Sequence, residues 1–305
     1  MNIADQIRSL KKKRNAVILV HNYQLPEIQD IADFIGDSLG LSIKASKTQA
    51  DVIVFCGVYF MAETAKIVSP QKTVLIPDKL AGCPMADMIS AESLRELKNK
   101  HPQAKVLCYV NTSAEVKAEA DMCCTSANAV TMLQEGFQPQ DEIIFVPDKY
   151  LANYAASQTG RKLITWNGYC PSHVKILPQD IQKQKQLHPQ AKVLVHPECT
   201  PDVIRLADVV CSTEGIFHYV QKSQDEEFII GTETDMLYRL RVNNPGKKFY
   251  PASELAICPN MKRITLDKVH SALERIQFEV TVEPSILVKA QKSIKRMMEC
   301  KAAVA

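Results

Sequence analysis

Apolar residues along this chain gather in short unbroken runs, separated by stretches in which they recur every three or four positions. An unbroken run suits a strand covered on both faces, and the intervening period is that of an amphipathic helix. The middle of the chain illustrates the alternation. Strands are predicted at Val106–Val110, Met122–Thr125, Glu142–Val146 and Lys162–Trp166, with helices at Ala114–Ala120, Ala127–Glu135 and Leu151–Ser157. Alternating strands and helices predict parallel sheets in three-layer α/β domains. A helix precedes each first strand, at Ile3–Lys13, Ser93–Lys100 and Pro178–Leu187. A fourth such helix, Leu266–Ile276, is followed by Phe278, Val280 and Val282 in strand-like alternation. This tail is expected to return and pack on the first unit.

The pattern repeats. His101-Pro102-Gln103-Ala104-Lys105-Val106-Leu107 returns almost unchanged, 87 residues on, as His188-Pro189-Gln190-Ala191-Lys192-Val193-Leu194, and Ala16–Val20 is the matching run in the first third. The strands end in His21-Asn22-Tyr23, Tyr109-Val110-Asn111 and His196-Pro197-Glu198. From His21, Tyr109 and His196, a step of 17 residues reaches Ser38, Ser126 and Thr213. Steps of 62, 61 and 62 reach Cys83, Cys170 and Cys258, each followed by proline. Self-similarity at a fixed period organises the chain, and this period fits a small domain rather than a solenoid unit. Three homologous α/β/α domains are expected: residues 1–86 plus 262–305, 87–173 and 174–261.

Composition narrows the class. With 46% apolar and 23% charged residues the chain reads as globular, and no apolar run approaches the ~20 residues that span a bilayer. The Lys11-Lys12-Lys13-Arg14 run reads as a solvated helix end, and a net charge of +3 gives little support to nucleic-acid binding. Ten cysteines behind a polar N-terminal helix point to a reducing, cytoplasmic setting and to metal or redox chemistry.

Seven of those cysteines fall outside the repeat: Cys56, Cys108, Cys123, Cys124, Cys199, Cys211 and Cys300. Free cysteine is commonly a small buried hydrophobe, and Cys56, Cys108 and Cys211 in apolar strands read that way. Packing would accept Val, Ala or Ser at Cys83, Cys170 and Cys258, so the threefold recurrence needs another reason. Three converging thiolates would hold a metal or an iron–sulfur cluster with one coordination position open. Zinc competes, but its usual close CxxC pairs do not occur here.

Ser38, Ser126 and Thr213 each stand between a short strand and a helix, where an N-cap is expected. Helix N-termini also bind carboxylates and phosphates, and the carboxyl ends of parallel strands are where α/β sheets place ligands. The inferred ligand is small and multiply anionic. His21, Tyr109 and His196 can donate hydrogen bonds there, with Tyr23, Asn111 and Glu198 two residues further on. His173, three residues after Cys170, is a weaker candidate, since Ala86 and Met261 take its place in the other copies.

These residues together resemble the quinolinate synthase family. The strings are His21-Asn22-Tyr23, Gly36-Asp37-Ser38-Leu39, Met61-Ala62-Glu63-Thr64-Ala65-Lys66, Gly82-Cys83-Pro84-Met85, Cys124-Thr125-Ser126-Ala127-Asn128, Gly168-Tyr169-Cys170-Pro171, His196-Pro197-Glu198-Cys199, Ser212-Thr213-Glu214-Gly215 and Cys258-Pro259-Asn260-Met261-Lys262. The resemblance implies three similar domains around a pseudo-threefold axis and one 4Fe-4S cluster on Cys83, Cys170 and Cys258. It implies condensation of iminoaspartate (iminosuccinate) with dihydroxyacetone phosphate to quinolinate, phosphate and water in NAD biosynthesis. It also points to coupling with L-aspartate oxidase or aspartate dehydrogenase. Substrate contacts would map to His21, Ser38, Tyr109, Val110, Asn111, Ser126, His196, Pro197, Glu198 and Thr213. Glu198 is expected as principal acid–base residue, assisted by Tyr23, Tyr109 and His196.

Three alternatives follow from the residues alone. One is another iron–sulfur dehydratase or hydratase. A non-catalytic carboxylate-binding metalloprotein would want a closed four-ligand site, where the repeat supplies three equivalent ligands. A nucleotide-binding α/β enzyme would want a Gly-rich first turn, and the chain has no GxGxxG.

Overall fold

The computed structural model describes residues 2–299 and contains three four-stranded parallel sheets of one topology. The first comprises β1 (Ala16–His21), β2 (Phe34–Gly36), β3 (Val52–Cys56) and β4 (Thr73–Leu75) in the order β2-β1-β3-β4. The second repeats it with β5 (Lys105–Tyr109), β6 (Met122–Cys124), β7 (Ile143–Val146) and β8 (Leu163–Thr165) in the order β6-β5-β7-β8. The third has β9 (Lys192–Val195), β10 (Val209–Val210), β11 (Glu227–Gly231) and β12 (Lys248–Pro251) in the order β10-β9-β11-β12. Parallel neighbours require crossovers, and helices supply them. The chain is therefore α/β, with the three repeated α/β/α units that the periodicity predicts.

The central strands are buried on both faces, as their unbroken apolar runs require. Each sheet sets one phenylalanine of its third strand in the core: Phe55, Phe145 and Phe228 are at most 1% exposed. The strand in the first position of each unit ends where its apolar run ends, so His21, Tyr109 and His196 emerge at the carboxyl edges of the three sheets.

Two expectations need correction. Ser38 and Thr213 are not N-caps. Asp37 caps the helix Ser38–Lys47 by accepting from Gly40 N at 2.8 Å, and Ser212 caps Thr213–Lys222 by accepting from Gly215 N at 3.1 Å. The third helix, Ala129–Glu135, has Asn128 at its cap position without a capping side-chain bond, and Ser126 lies in the turn before it. The extended backbone that a cap needs falls one residue earlier, at Asp37 and Ser212, which frees the hydroxyls that follow.

The tail also differs in part. Val280 N donates to Val74 O at 2.8 Å and Ile76 N to Phe278 O at 3.2 Å, an antiparallel bridge on the edge of the first sheet. Left-handed backbone at Ile276 and Phe278 stops it from becoming a strand. The final helix, Pro284–Glu299, then packs against Tyr59–Val68 of the first unit and against Ala114–Ala118 and β6 of the second. Ser293 Oγ donates to Lys117 O at 2.8 Å there. The tail thus packs on the first unit as expected, and its last helix packs on the second as well. Cys300 lies outside the described residues.

The basic run at the first helix is partly engaged. Lys11 pairs with Asp33 at 2.6 Å, and Arg14 donates to Leu273 O and Glu274 O at the end of the helix Leu266–Arg275. No helix among the described residues is long and apolar enough to cross a membrane.

Candidate active site

The carboxyl ends of all three sheets open on one cavity of ≈ 170 Å³. His21, Tyr109 and His196 line it, as do Ser38, Ser126 and Thr213, and Tyr23, Asn111 and Glu198. Cys83, Cys170 and Cys258 line it from the three proline-bearing loops. Residues scattered over the whole sequence are brought together because each keeps the same offset from its own strand. Val110 and Pro197 do not line the cavity; both are buried, and Val110 N donates to Cys124 O within the second sheet.

Two histidines are fixed in the same way. Tyr23 N donates to His21 Nδ1 at 3.2 Å, and Glu198 N donates to His196 Nδ1 at 3.3 Å. Burial pushes both imidazoles down to about 3, opposed by the charge of Glu198, so they are neutral near pH 7. A neutral ring that accepts at Nδ1 carries its proton at Nε2. His196 Nε2 therefore donates to Ser126 Oγ at 3.1 Å, and the Ser126 hydroxyl proton remains for an acceptor in the cavity.

Glu198 is the centre of a buried network. Its Oε1 accepts from Tyr109 Oη at 2.6 Å, and its Oε2 faces His173 Nδ1 at 2.8 Å and His196 Nδ1 at 3.8 Å. Burial alone would raise its pKa. The neighbouring imidazoles, His173 being in direct contact, and the hydrogen bonds from His173 and Tyr109 outweigh burial and hold the carboxyl well below the usual range. Behind His173, Nε2 lies 2.9 Å from Thr232 Oγ1, which is 2.5 Å from Tyr23 Oη. Burial, followed by the Glu198 charge, pushes the phenols of Tyr23 and Tyr109 well above 10.

The cysteine loops form the other wall. Burial raises the Cys83 thiol to about 12 and pushes Cys170 and Cys258 up as well; Cys83 feels the charge of Cys258, and Cys170 that of Cys83. Three soft donors that repel one another as thiolates suit a metal centre, because a cation removes the cost of ionising them together. The Cys170 thiol, a His173 ring nitrogen and a Glu198 oxygen also lie within 4.8 Å of one another. His173 and Glu198 are already paired to each other, which favours the three thiols as the donor set.

Sequence comparison agrees with this geometry. Residues 5–299 match the family described as Quinolinate synthetase A protein. The chain belongs to that family. It is 54% identical over 296 residues to the quinolinate synthase of Dehalococcoides mccartyi, covering 97% of each chain. It is 52% identical to the quinolinate synthase of Methanosarcina barkeri, covering 98% of each, and 53% identical to that of Desulforudis audaxviator, covering 98% of this chain and 99% of that one. Like these quinolinate synthases, the chain is an enzyme.

Several site residues escape the repeat. His173 is more central than its isolated position in the sequence suggests, and Thr232 has no counterpart among the landmarks. Its one signal is its place as the first residue after β11. Asp148 and Glu233 stand at equivalent positions, two residues past β7 and β11, where the first unit has Val58. Asp148 Oδ1 accepts from Tyr150 N and Leu151 N, and its backbone bridges to Gly168 in the Cys170 loop; Glu233 Oε1 accepts from Cys258 N at 3.0 Å and pairs with Lys262 at 2.7 Å. The Cys258 loop is therefore anchored on a buried carboxylate, and the Cys170 loop on the backbone beside one.

Gly168 adds a steric restraint to the Cys170 loop. A Cβ there would lie 2.4 Å from Pro147 O, whereas one at Gly82, beside Cys83, meets nothing within 4 Å. Gly168→Ala is expected to displace the loop, to cost about 1–3 kcal/mol of stability and to reduce any iron that Cys170 would help to hold. Gly82→Ala should match the parent. Thermal melting with iron analysis checks both, and equal behaviour of the two variants contradicts the restraint.

Proposed function

We propose that the chain is a quinolinate synthase that condenses iminoaspartate with dihydroxyacetone phosphate, giving quinolinate, phosphate and two waters. Cys83, Cys170 and Cys258 would hold one 4Fe-4S cluster. The observation that carries this reading is the opening of three repeat-equivalent thiols, three hydroxyls and the buried Glu198 carboxylate on a single cavity. When bound, the cluster supplies an iron without a protein ligand, a Lewis acid suited to the loss of a hydroxyl as water.

The chain's own residues supply binding and proton transfer. Ser38, Ser126 and Thr213 present hydroxyls to carboxylate and phosphate oxygens, and His21 presents Nε2–H. Proton transfer runs through the buried network. With Nδ1–H donated to Glu198, His173 accepts at Nε2 from Thr232, and Thr232 accepts from Tyr23. As Tyr23 Oη takes a proton from the substrate, the phenol's own proton can pass along this line to the carboxylate, so Glu198 acts as the base through the relay and no buried phenolate forms. Tyr109, donating to Glu198, holds the carboxylate in place. The test is anaerobic assembly with iron and sulfide, followed by iron and sulfide analysis, an absorption spectrum and quinolinate formation from the two substrates. An assembled cluster without quinolinate formation would leave another iron–sulfur dehydratase or hydratase as the reading.

A further inference from the structure

The hydroxyl of Thr213 is oriented from outside the cavity. Asn22, fully buried in the turn after β1, donates from Nδ2 to Thr213 Oγ1 at 2.9 Å. Its Oδ1 accepts from Arg239 Nη1 at 2.7 Å. Arg239, on the helix Met236–Asn243, is itself held by Glu214, with Nη1 at 2.8 Å and Nη2 at 3.1 Å from the two carboxylate oxygens. Its guanidinium carbon lies 3.8 Å from the centre of the Phe217 ring.

Hydrogen-bond chemistry sets the direction of this chain. A guanidinium only donates, so the Asn22 oxygen must face Arg239 and the Asn22 amide N–H must face Thr213. Thr213 Oγ1 is then an acceptor toward Asn22, and its own proton is left over. Thr213 is the first residue of its helix, is 2% exposed and lines the cavity. Capping is performed by Ser212, so the Thr213 proton is not needed there.

We propose that Arg239 and Asn22 are positioning residues that fix Thr213 as a hydrogen-bond donor to an oxyanion of the substrate, a carboxylate or a phosphoryl group. The inference rests on the reading of Thr213 as a substrate contact. Donor orientation matters because an anion only accepts: a hydroxyl free to rotate must be turned at each binding event, whereas this one is set beforehand. His196 does the same for Ser126 within the cavity. Asn22 and Arg239 do it from behind Thr213, and Asn22 belongs to the first unit while Arg239 and Thr213 belong to the third.

Asn22→Asp tests the relay. An aspartate still accepts from Arg239, but its second oxygen requires Thr213 to donate to it, which withdraws the proton from the cavity. It also adds negative charge, so the same substitution is made on Thr213→Val, where no hydroxyl remains. Succinate and inorganic phosphate are titrated separately into the four anaerobic holoenzymes by calorimetry, with thermal melting alongside. Asn22→Asp is expected to weaken one of the two anions roughly tenfold or more, the scale of one charge-assisted hydrogen bond. It should add little further loss on Thr213→Val, and the anion affected identifies the group that Thr213 holds. Arg239→Lys, which keeps a cation beside Glu214 but loses the planar fork, should weaken the same anion if Asn22→Asp does not fold. A full Asn22→Asp loss on Thr213→Val overturns the relay, since the effect is then charge repulsion. Unchanged binding in Asn22→Asp while Thr213→Val weakens it overturns the relay and keeps the contact. No loss in Thr213→Val for either anion removes the contact itself, and the relay with it.

Discussion

Cys170→Ala is expected to purify anaerobically with no visible iron–sulfur absorbance and no quinolinate formation, and Cys83→Ala and Cys258→Ala should behave alike. The reason is the donor count. Three thiols from three loops line one cavity, and two ligands would not replace three around the proposed cube of four irons. Cys170 is the most informative of the set, because its sulfur lies 3.1 Å from His173 Nδ1 and so joins the cysteine wall to the proton network. Cys56→Ala is the control. It is equally a free cysteine, but it is fully buried in β3, and removing its sulfur should leave iron content and turnover close to the parent. Iron and sulfide analysis beside the spectrum makes the comparison. Parent-level iron in Cys170→Ala would return the ligand role to another set of donors.

The repeat explains how much of this site could be read before any coordinates. A residue that keeps one offset from its strand in three copies must reach equivalent places in three sheets. His21, Tyr109 and His196, the three hydroxyls and the three cysteines are legible for that reason. The same logic hides whatever breaks the symmetry. His173 stands where the other units have Ala86 and Met261, and Thr232 is polar at a position the repeat does not mark, yet these two link Tyr23 to Glu198. Two helix starts lie one residue before the position expected from sequence because an acidic or hydroxyl side chain occupies both candidate positions, Asp37-Ser38 and Ser212-Thr213, and only the backbone angles decide between them. The last helix, Pro284–Glu299, lies beyond the third repeat and carries none of its landmarks, so the periodicity does not mark it. Its seat against Ala114–Ala118 follows from the chain path after the bridge at Glu279.

The strongest single test of the proton network is Glu198→Gln. The carboxylate is buried in the cavity wall, and against the anionic substrates proposed above charge repulsion would make it a poor binding group. Its two oxygens are spent instead on Tyr109 and His173. Glutamine has nearly the same shape. Its oxygen can still accept from Tyr109, but its nitrogen then faces His173 Nδ1 and donates. His173 must accept at Nδ1 and carry its proton at Nε2, which reverses the bonds through Thr232 to Tyr23. The variant therefore loses the final proton acceptor and turns the relay against the direction that carries a proton from Tyr23 to position 198. Quinolinate formation is expected to fall by roughly a hundredfold or more, the scale of a lost acid–base group, while cluster content and succinate affinity stay near the parent. Anaerobic turnover, iron analysis and calorimetry on one preparation separate these effects. Near-parent turnover would mean that Glu198 only orders the cavity, and proton transfer would then pass to Tyr23 or His196 without it.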